Sequence, residues 1–173
     1  PQTVHAEQPQ DEVDDVQLGA NLNNFSRIAE IDEAVIVCVT DEAAVEEVLF
    51  GSEGVCAGAR PETLIIDMST VSPQASRKNA ATLNEKGFFM LDAPVSGSRE
   101  APTPRSLSIM VGGAEVDFKK AQPIFKCMGQ NIVHVGRRCG DGQTVKLLNQ
   151  LLAAGHTLVM CEALLFARAG GVD

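Results

Sequence analysis

The stretch TLIIDMSTVSPQASRKNAATLNEKGFFMLDAPV (residues 63–95) decides the fold, because it contains a complete strand–helix–strand pattern. Two apolar runs, residues 63–68 and 88–95, have the composition of buried strands. Between them, Ser72 and Pro73 predict the N-cap and first turn of a helix. Two strands that are joined by such a helix predict a parallel β–α–β unit with a right-handed crossover.

The same alternation continues on both sides of this stretch. It predicts an α/β fold, a partial doubly wound parallel sheet followed by a long C-terminal helix. The run AVIVCV should be a strand buried on both faces, and Pro123 should kink or break its helix. The further predicted strands are residues 34–39, 106–113 and 131–136, and the further predicted helices are residues 41–51, 114–129 and about 142–169.

The first 33 residues differ from the rest of the chain. They are polar and acidic and have no clear period, so we expect a mostly irregular segment with a short helix near residues 25–31. The predicted organisation is therefore an N-terminal segment of residues 1–33, a sheet domain of residues 34–142 and a long helix in residues 143–173.

Composition excludes several classes of function. A net charge of -9 argues against a nucleic-acid partner, which would require clustered Lys and Arg. No apolar run approaches membrane-spanning length, and no signal peptide is visible, so no membrane partner is expected. The five cysteines are odd in number and lack CxxC spacing. This favours free, buried thiols in the cytoplasm or another reducing compartment over disulfides or a metal site.

Polar residues follow several of the predicted strands, and a lysine lies in the long helix. Ligands of such sheets bind beyond the carboxyl ends of the strands. Helical spacing places Lys146, Asn149 and Gln150 on one face, which suits a cleft lining and also suits solvent. The residues that follow the strands are Thr40, Asp41, Ser69, Thr70, Ser96, Gly97 and Ser98.

Three motifs carry a resemblance to a known family. IDMSTVSPQASR (66–77), FFMLDAPVSGSREAPTPRSLSIMVGG (88–113) and GDGQTVKLLNQ (140–150) together resemble the β-hydroxyacid dehydrogenases, over roughly residues 34–173. That family includes 3-hydroxyisobutyrate dehydrogenase, tartronate semialdehyde reductase and relatives of 6-phosphogluconate dehydrogenase. The resemblance implies that residues 34–142 form an incomplete Rossmann-like NAD(P)-binding domain. It also implies that the long helix would lead into a helical domain that this sequence does not contain.

The resemblance also implies the roles of individual residues. Lys146 matches the catalytic lysine, whose ammonium can stabilise alkoxide charge and supply a proton during hydride transfer. Gln150 after Asn149 is closer to tartronate semialdehyde reductase than to 3-hydroxyisobutyrate dehydrogenase. The implied substrate-binding residues are Ser96, Gly97, Ser98, Asn149 and Gln150, and the implied residues near NAD or NADP are Val39, Thr40 and Thr70.

Two functions remain open on the sequence. The resemblance implies an NAD(P)-dependent oxidoreductase that interconverts a short hydroxy acid and its semialdehyde or keto form, as a homo-oligomer. However, the family's GxGxxG turn for the cofactor pyrophosphate is absent, and Ser98 replaces a loop glycine. We therefore expect weak cofactor binding, and the alternative is a truncated, inactive relative that serves as a binding or interaction module.

Overall fold

The computed structural model describes residues 34–97 and 107–172. Within these ranges each predicted helix is confirmed, and the predicted strands are observed except that the strand of residues 88–95 is divided into two. A short helix at Val55–Gly58 is an addition that the sequence did not predict. The predicted helix near residues 25–31 and the candidate Ser98 lie outside the described residues. The strands are β1 (Ala34–Val37), β2 (Leu64–Asp67), β3 (Phe89–Asp92), β4 (Val95–Ser96), β5 (Leu107–Gly112) and β6 (Gly129–Gly136). The helices are α1 (Glu42–Phe50), α2 (Val55–Gly58), α3 (Pro73–Glu85), α4 (Glu115–Met128) and α5 (Asp141–Ala169).

The six described strands form one Rossmann-like sheet. The sequence predicted a parallel sheet, but the observed sheet is mixed. β1, β2 and β3 are parallel neighbours. β5 runs antiparallel to β3 and β4, and its other edge pairs in parallel with β6. The physical reason is the connection at residues 97–106, which is shorter than the dozen or more residues that a parallel crossover needs.

Helices cover both faces of the sheet. On one face Val37, Ile65 and Met90 pack in a cluster beneath α1, α2 and α3. On the other face Ile66 and Leu91 pack with side chains of α4. Because β1, β2 and β3 are parallel, their carboxyl ends meet at one edge, and this edge carries the candidate site.

The predicted helix boundaries are confirmed by their caps. The Asp41 carboxylate accepts a hydrogen bond from Ala44 N at 2.9 Å, and Ser72 Oγ accepts one from Ala75 N at 3.1 Å. Gly87, just beyond α3, has a φ of 84°, a conformation that favours glycine. The predicted break at Pro123 does not occur, since α4 continues through this residue.

β1 is buried on one face only, contrary to expectation. Val35 and Val37 are buried, whereas Ile36 is 45% exposed and Cys38 is also exposed. The reason lies in α4, which packs over β3, β5 and β6, so that no helix among the described residues covers the corresponding face of β1.

The five cysteines are all free, but three of them are exposed instead of buried: Cys38, Cys127 and Cys161. Cys139 is half-buried, and its Sγ donates a hydrogen bond to Met90 O at 3.1 Å. Burial raises the pKa of Cys139 to about 12, so this thiol stays protonated and unreactive at neutral pH.

Helix α5 leaves the sheet after its second turn and is exposed over most of its length. Among the described residues it is the one helix long and apolar enough to cross a membrane. The expectation that no apolar run approaches this length was wrong, because scattered polar residues conceal a helix of about 43 Å. Length and composition do not assign a membrane span here, since the first turns of α5 pack on the sheet. The exposed apolar side chains of α5 include Leu151, Leu152, Leu158, Val159, Leu164, Leu165 and Phe166.

Candidate functional site

The candidate site begins where the first turn of α5 meets the carboxyl edge of the sheet. Gln143 is fully buried there. Its side-chain Nε2 donates a hydrogen bond to Ser69 O at 2.8 Å, and its Oε1 accepts one from Val71 N at 3.2 Å. We call these two bonds the Gln143 bridge. They join α5 to the turn that follows β2.

Asp92, at the end of β3, lies beneath the N-terminus of α5. Its Oδ2 accepts a hydrogen bond from Gln143 N at 2.8 Å. The N-cap residue of α5 is Gly140, which has no side chain, so Asp92 supplies the capping carboxylate from another element. Burial raises the pKa of Asp92 to about 6, although backbone hydrogen bonds from Gln143 and Gly140 oppose this effect.

We predict that Asp92 makes the folding stability depend on pH. Its pKa is raised from 3.8 to about 6, so the folded protein holds the proton more tightly than the unfolded chain does. The stability contributed by this group is therefore present below about pH 4 and is lost as the pH rises through about 6. The difference is on the order of 3 kcal/mol. Urea unfolding at pH 4.5 and pH 7.5 should show a smaller loss of stability in Asp92→Asn than in the wild type.

The control for this comparison is Glu162→Gln, which neutralises an exposed carboxylate on α5. The pKa of Asp67 is also raised by burial. This residue is present in all three proteins, so its contribution to the pH dependence of stability cancels when they are compared. If Asp92→Asn and Glu162→Gln lose the same stability between the two pH values, the role of Asp92 is refuted.

Lys146 follows Gln143 by one helical turn and is only 7% exposed. This burial excludes a solvent-facing position for Lys146 itself, whereas Gln150 on the same helix face is exposed. Burial lowers the pKa of Lys146. Within residues 34–97 and 107–172, no carboxylate forms an ion pair with its ammonium. The site therefore contains a buried amine whose proton is easier to release than that of an ordinary lysine.

A hydrogen bond joins two of the substrate-binding candidates, and two others lie next to this pair. Asn149 Nδ2 donates a hydrogen bond to Ser96 Oγ at 3.3 Å, which joins α5 to the end of β4. Gln150 is exposed, and its Oε1 accepts a hydrogen bond from Asn149 at 3.4 Å. Gly97 is exposed beside Ser96, and Ser98 lies outside the described residues.

The cofactor-binding candidates occupy the ends of β1 and β2. Val39 N donates a hydrogen bond to Ser69 Oγ at 3.0 Å, which joins the two strand ends. Thr40 is exposed, and its Oγ1 donates to Asp41 at 3.2 Å. Thr70 is also exposed and lies between the two residues that bind the Gln143 side chain.

Sequence reasoning did not single out Asp92 or Gln143, and it named Ser69 as a residue that follows a strand, without a role. The available signals were an aspartate that ends the apolar run FFMLD and a glutamine in the first turn of an apolar helix. Asp67 caps the turn that follows β2, since its Oδ1 accepts a hydrogen bond from Ser69 N at 3.0 Å. The ring of His134 is also satisfied, because its Nε2 lies 2.8 Å from Gly113 O.

The sequence and the fold both match known proteins. Residues 4–136 match the NAD binding domain of 6-phosphogluconate dehydrogenase. Residues 140–173 match the family described as NAD-binding of NADP-dependent 3-hydroxyisobutyrate dehydrogenase. The first match begins at residue 4, so the resemblance reaches further towards the N-terminus than the motifs from residue 34 onwards had indicated.

Individual relatives agree with these matches. The 2-hydroxy-3-oxopropionate reductase of Escherichia coli (strain K12) is 40% identical over 159 residues, which cover 91% of this chain and 54% of the reductase. The mitochondrial 3-hydroxyisobutyrate dehydrogenase of Mus musculus is 33% identical, over 86% of this chain and 44% of the relative. The solved structure of Mycobacterium tuberculosis 3-hydroxyisobutyrate dehydrogenase with L-serine has a TM-score of 0.78 and 32% identity, over 86% of this chain and 50% of that one.

The chain thus spans about half the length of the curated relatives that it matches. The matched half contains the sheet, the buried lysine on α5 and the polar residues at the carboxyl edge. The chain belongs to the β-hydroxyacid dehydrogenase family, and it contains that family's NAD-binding domain of the 6-phosphogluconate dehydrogenase type.

Proposed function

We propose that the protein is an NAD(P)-dependent oxidoreductase that interconverts a short hydroxy acid and its semialdehyde or keto form. The observation that carries this proposal is the burial of Lys146 beside the carboxyl edge of the sheet, without a carboxylate partner among the described residues. A buried amine with a lowered pKa suits a group that gives a proton to an alkoxide and takes it back in the reverse direction.

In this proposal the substrate lies between β4 and α5. Ser96 and Asn149 hold the carboxylate or hydroxyl groups of the substrate, since together they offer a hydroxyl and an amide at one place. Gly97 contributes an exposed backbone, Gln150 lines the outer side, and Ser98 stays a substrate-binding candidate on the family resemblance alone. Lys146 faces the carbonyl or hydroxyl carbon that reacts, and its ammonium stabilises the negative charge that develops on oxygen.

The residues at the strand ends fit the nicotinamide end of NAD or NADP. Val39, Thr40 and Thr70 lie on neighbouring strands at the edge where ligands of Rossmann-like sheets bind, and both threonines are exposed. The bound cofactor would supply hydride transfer at its nicotinamide ring. The sequence lacks a GxGxxG turn for the pyrophosphate, so we expect this chain to bind the cofactor weakly.

For the substrate class we propose sugar-acid semialdehydes of the kind that 2-hydroxy-3-oxopropionate reductase is named for. The support is the 40% identity to that reductase and the presence of Gln150 after Asn149. The test is a spectrophotometric assay of NADPH and NADH oxidation with 2-hydroxy-3-oxopropionate and, for comparison, the semialdehyde of 3-hydroxyisobutyrate. Faster turnover of the second substrate would overturn the proposed class.

A second candidate is a binding or interaction module without catalysis. The observation that favours it is the apolar and exposed length of α5 in a chain without the glycine-rich turn. The assay of cofactor oxidation distinguishes the two functions. A binding module would show no oxidation of NADH or NADPH with any short semialdehyde, and Lys146→Ala would then leave the result of the assay unchanged.

We also propose that residues 34–142 act as the cofactor-binding domain and that residues 143–173 form a helix whose apolar side chains must be covered by other protein. The protein is further proposed to work in the cytoplasm as a homo-oligomer.

Apolar side chains on α5, such as Leu152, Val159 and Phe166, are more than half exposed. We predict that the chain self-associates at micromolar concentration, because burial of these side chains releases free energy. Sedimentation velocity should show a mass that increases with concentration, whereas a monomer over the whole range would contradict this prediction.

A further inference from the structure

Gln143 occupies a position that connects the two sides of the proposed site. The residue is fully buried, and its backbone and side chain bind three residues in two other parts of the fold. The backbone N–H donates to Asp92 at the end of β3. The side chain forms the Gln143 bridge to Ser69 and Val71, which are the two neighbours of Thr70.

The hydrogen bonds continue from this bridge to β1. Ser69, whose carbonyl accepts from Gln143, also accepts a hydrogen bond from Val39 N through its Oγ. The ends of β1, β2 and β3 are therefore all joined to the first turn of α5 by a continuous series of buried or half-buried hydrogen bonds. Lys146 lies one turn further along the same helix.

The amide group is suited to this position by its chemistry. The bridge needs one donor, for Ser69 O, and one acceptor, for Val71 N, on the same side chain. An amide offers both at every pH, on two separate atoms, whereas an ionised glutamate has no donor and a methionine has only a weak acceptor. The neighbouring buried carboxylates Asp67 and Asp92 also make a third carboxylate at residue 143 unfavourable.

We propose that Gln143 is a positioning residue, which fixes the Thr70 turn and the Lys146 helix at one distance from each other. This inference rests on the proposed function, because it takes Thr70 as the cofactor side and Lys146 as the proton donor. The bridge makes the site one rigid unit, so that the lysine and the nicotinamide keep their relative position while substrates enter and leave. Misplacement of such groups by about 1 Å is known to cost about a hundredfold in rate.

The test is a titration of lysine side chains by NMR in the full chain, with ¹³C-labelled lysine. The sequence contains six lysines, and Lys146→Arg assigns the resonance of Lys146. In the wild type we expect the pKa of Lys146 to lie below the ordinary value for a lysine, because the side chain is buried. In Gln143→Met the first turn of α5 loosens and admits water, so the pKa of Lys146 should move back towards that ordinary value. The affinity for NAD or NADP, measured by NMR titration, should fall by about tenfold.

The matched control is Gln74→Met, the same substitution at an exposed position in the first turn of α3. It should change neither the Lys146 titration nor the cofactor affinity. Gln143→Glu is a second variant, which keeps the acceptor for Val71 N, loses the donor for Ser69 O and adds a carboxylate near Asp67 and Asp92. We expect its effects to be at least as large as those of Gln143→Met, and effects equal to those of Gln74→Met would overturn the proposal.

One measurement needs no variant. The side-chain Nε2 protons of Gln143 should exchange with water far more slowly than those of Gln74, and they should shift when NAD or NADP is added. Fast exchange would overturn the proposal even if the variants did not fold. If the wild type binds no cofactor, the proposed function fails for this chain. The Lys146 titration and the exchange rates would still test whether the Gln143 bridge holds the first turn of α5 in place.

Discussion

Replacement of Lys146 by alanine should lower turnover by roughly a hundredfold to ten-thousandfold, the usual range for loss of a proton donor. The side chain is buried beside the proposed substrate, and the described residues offer it no carboxylate. Its removal therefore withdraws the charge that stabilises the alkoxide, while the substrate-holding pair Ser96 and Asn149 stays in place. The measurement is kcat for cofactor oxidation, with the melting temperature recorded in parallel.

Two further variants make the test of Lys146 specific. Lys146→Arg should also lose activity, because a guanidinium is bulkier than an ammonium and does not release its proton. Lys126→Ala removes an exposed lysine of α4 and should keep the activity of the wild type. An active Lys146→Ala protein would show that the catalytic assignment is wrong, whatever the family of the chain.

Gly142→Ala should be the most destabilising single-methyl change in α5. A Cβ at this position would meet Met110 O, and it would lie 2.8 Å from Asp92 Oδ2 and 2.9 Å from Asp92 O. Two of these atoms are backbone carbonyls of the sheet and have little room to shift. We expect a loss of about 3 kcal/mol, the upper end of the range for overpacking. Thermal and urea unfolding measure it.

Gly155→Ala provides the matched control, because it makes the same substitution in the same helix. No atom lies within 4 Å of the added Cβ at Gly155. Alanine favours the helical conformation, so this variant should gain about 0.5–1 kcal/mol. Opposite signs for the two variants would show that α5 docks through its first turn, and equal effects would contradict the packing at Gly142.

The strands and helices were predictable because local signals determined them. Ser72 and Pro73 start α3, and Asp41 caps α1 as its position suggested. The direction of β5 was not predictable in this way, since alternation of strands and helices does not report the short connection from β4 that forces an antiparallel pair. The exposure of Ile36 depends on where α4 packs, which is a property of the whole sheet.

The candidate site was predictable only in part, for a similar reason. The motifs indicated Lys146, Ser96 and Asn149, and the structure brings the last two into contact. Whether these residues act as proposed stays a prediction. Gln143 and Asp92 could not be paired from the sequence, because 51 residues separate them and their contact depends on how α5 docks against β3.

Among the described residues, α5 contacts the sheet through its first turns, and the rest of this long helix projects beyond the sheet. The helix is about 43 Å long, and the residues beyond Asn149 are almost all exposed. A tilt of α5 by about 10° at its first turns would move its C-terminal end by roughly 7 Å, given the 1.5 Å rise per residue. Small disturbances at Gly142 or Gln143 are therefore amplified with distance along α5. The orientation of any surface that the distal helix presents is thus set by a few atoms at the carboxyl edge of the sheet.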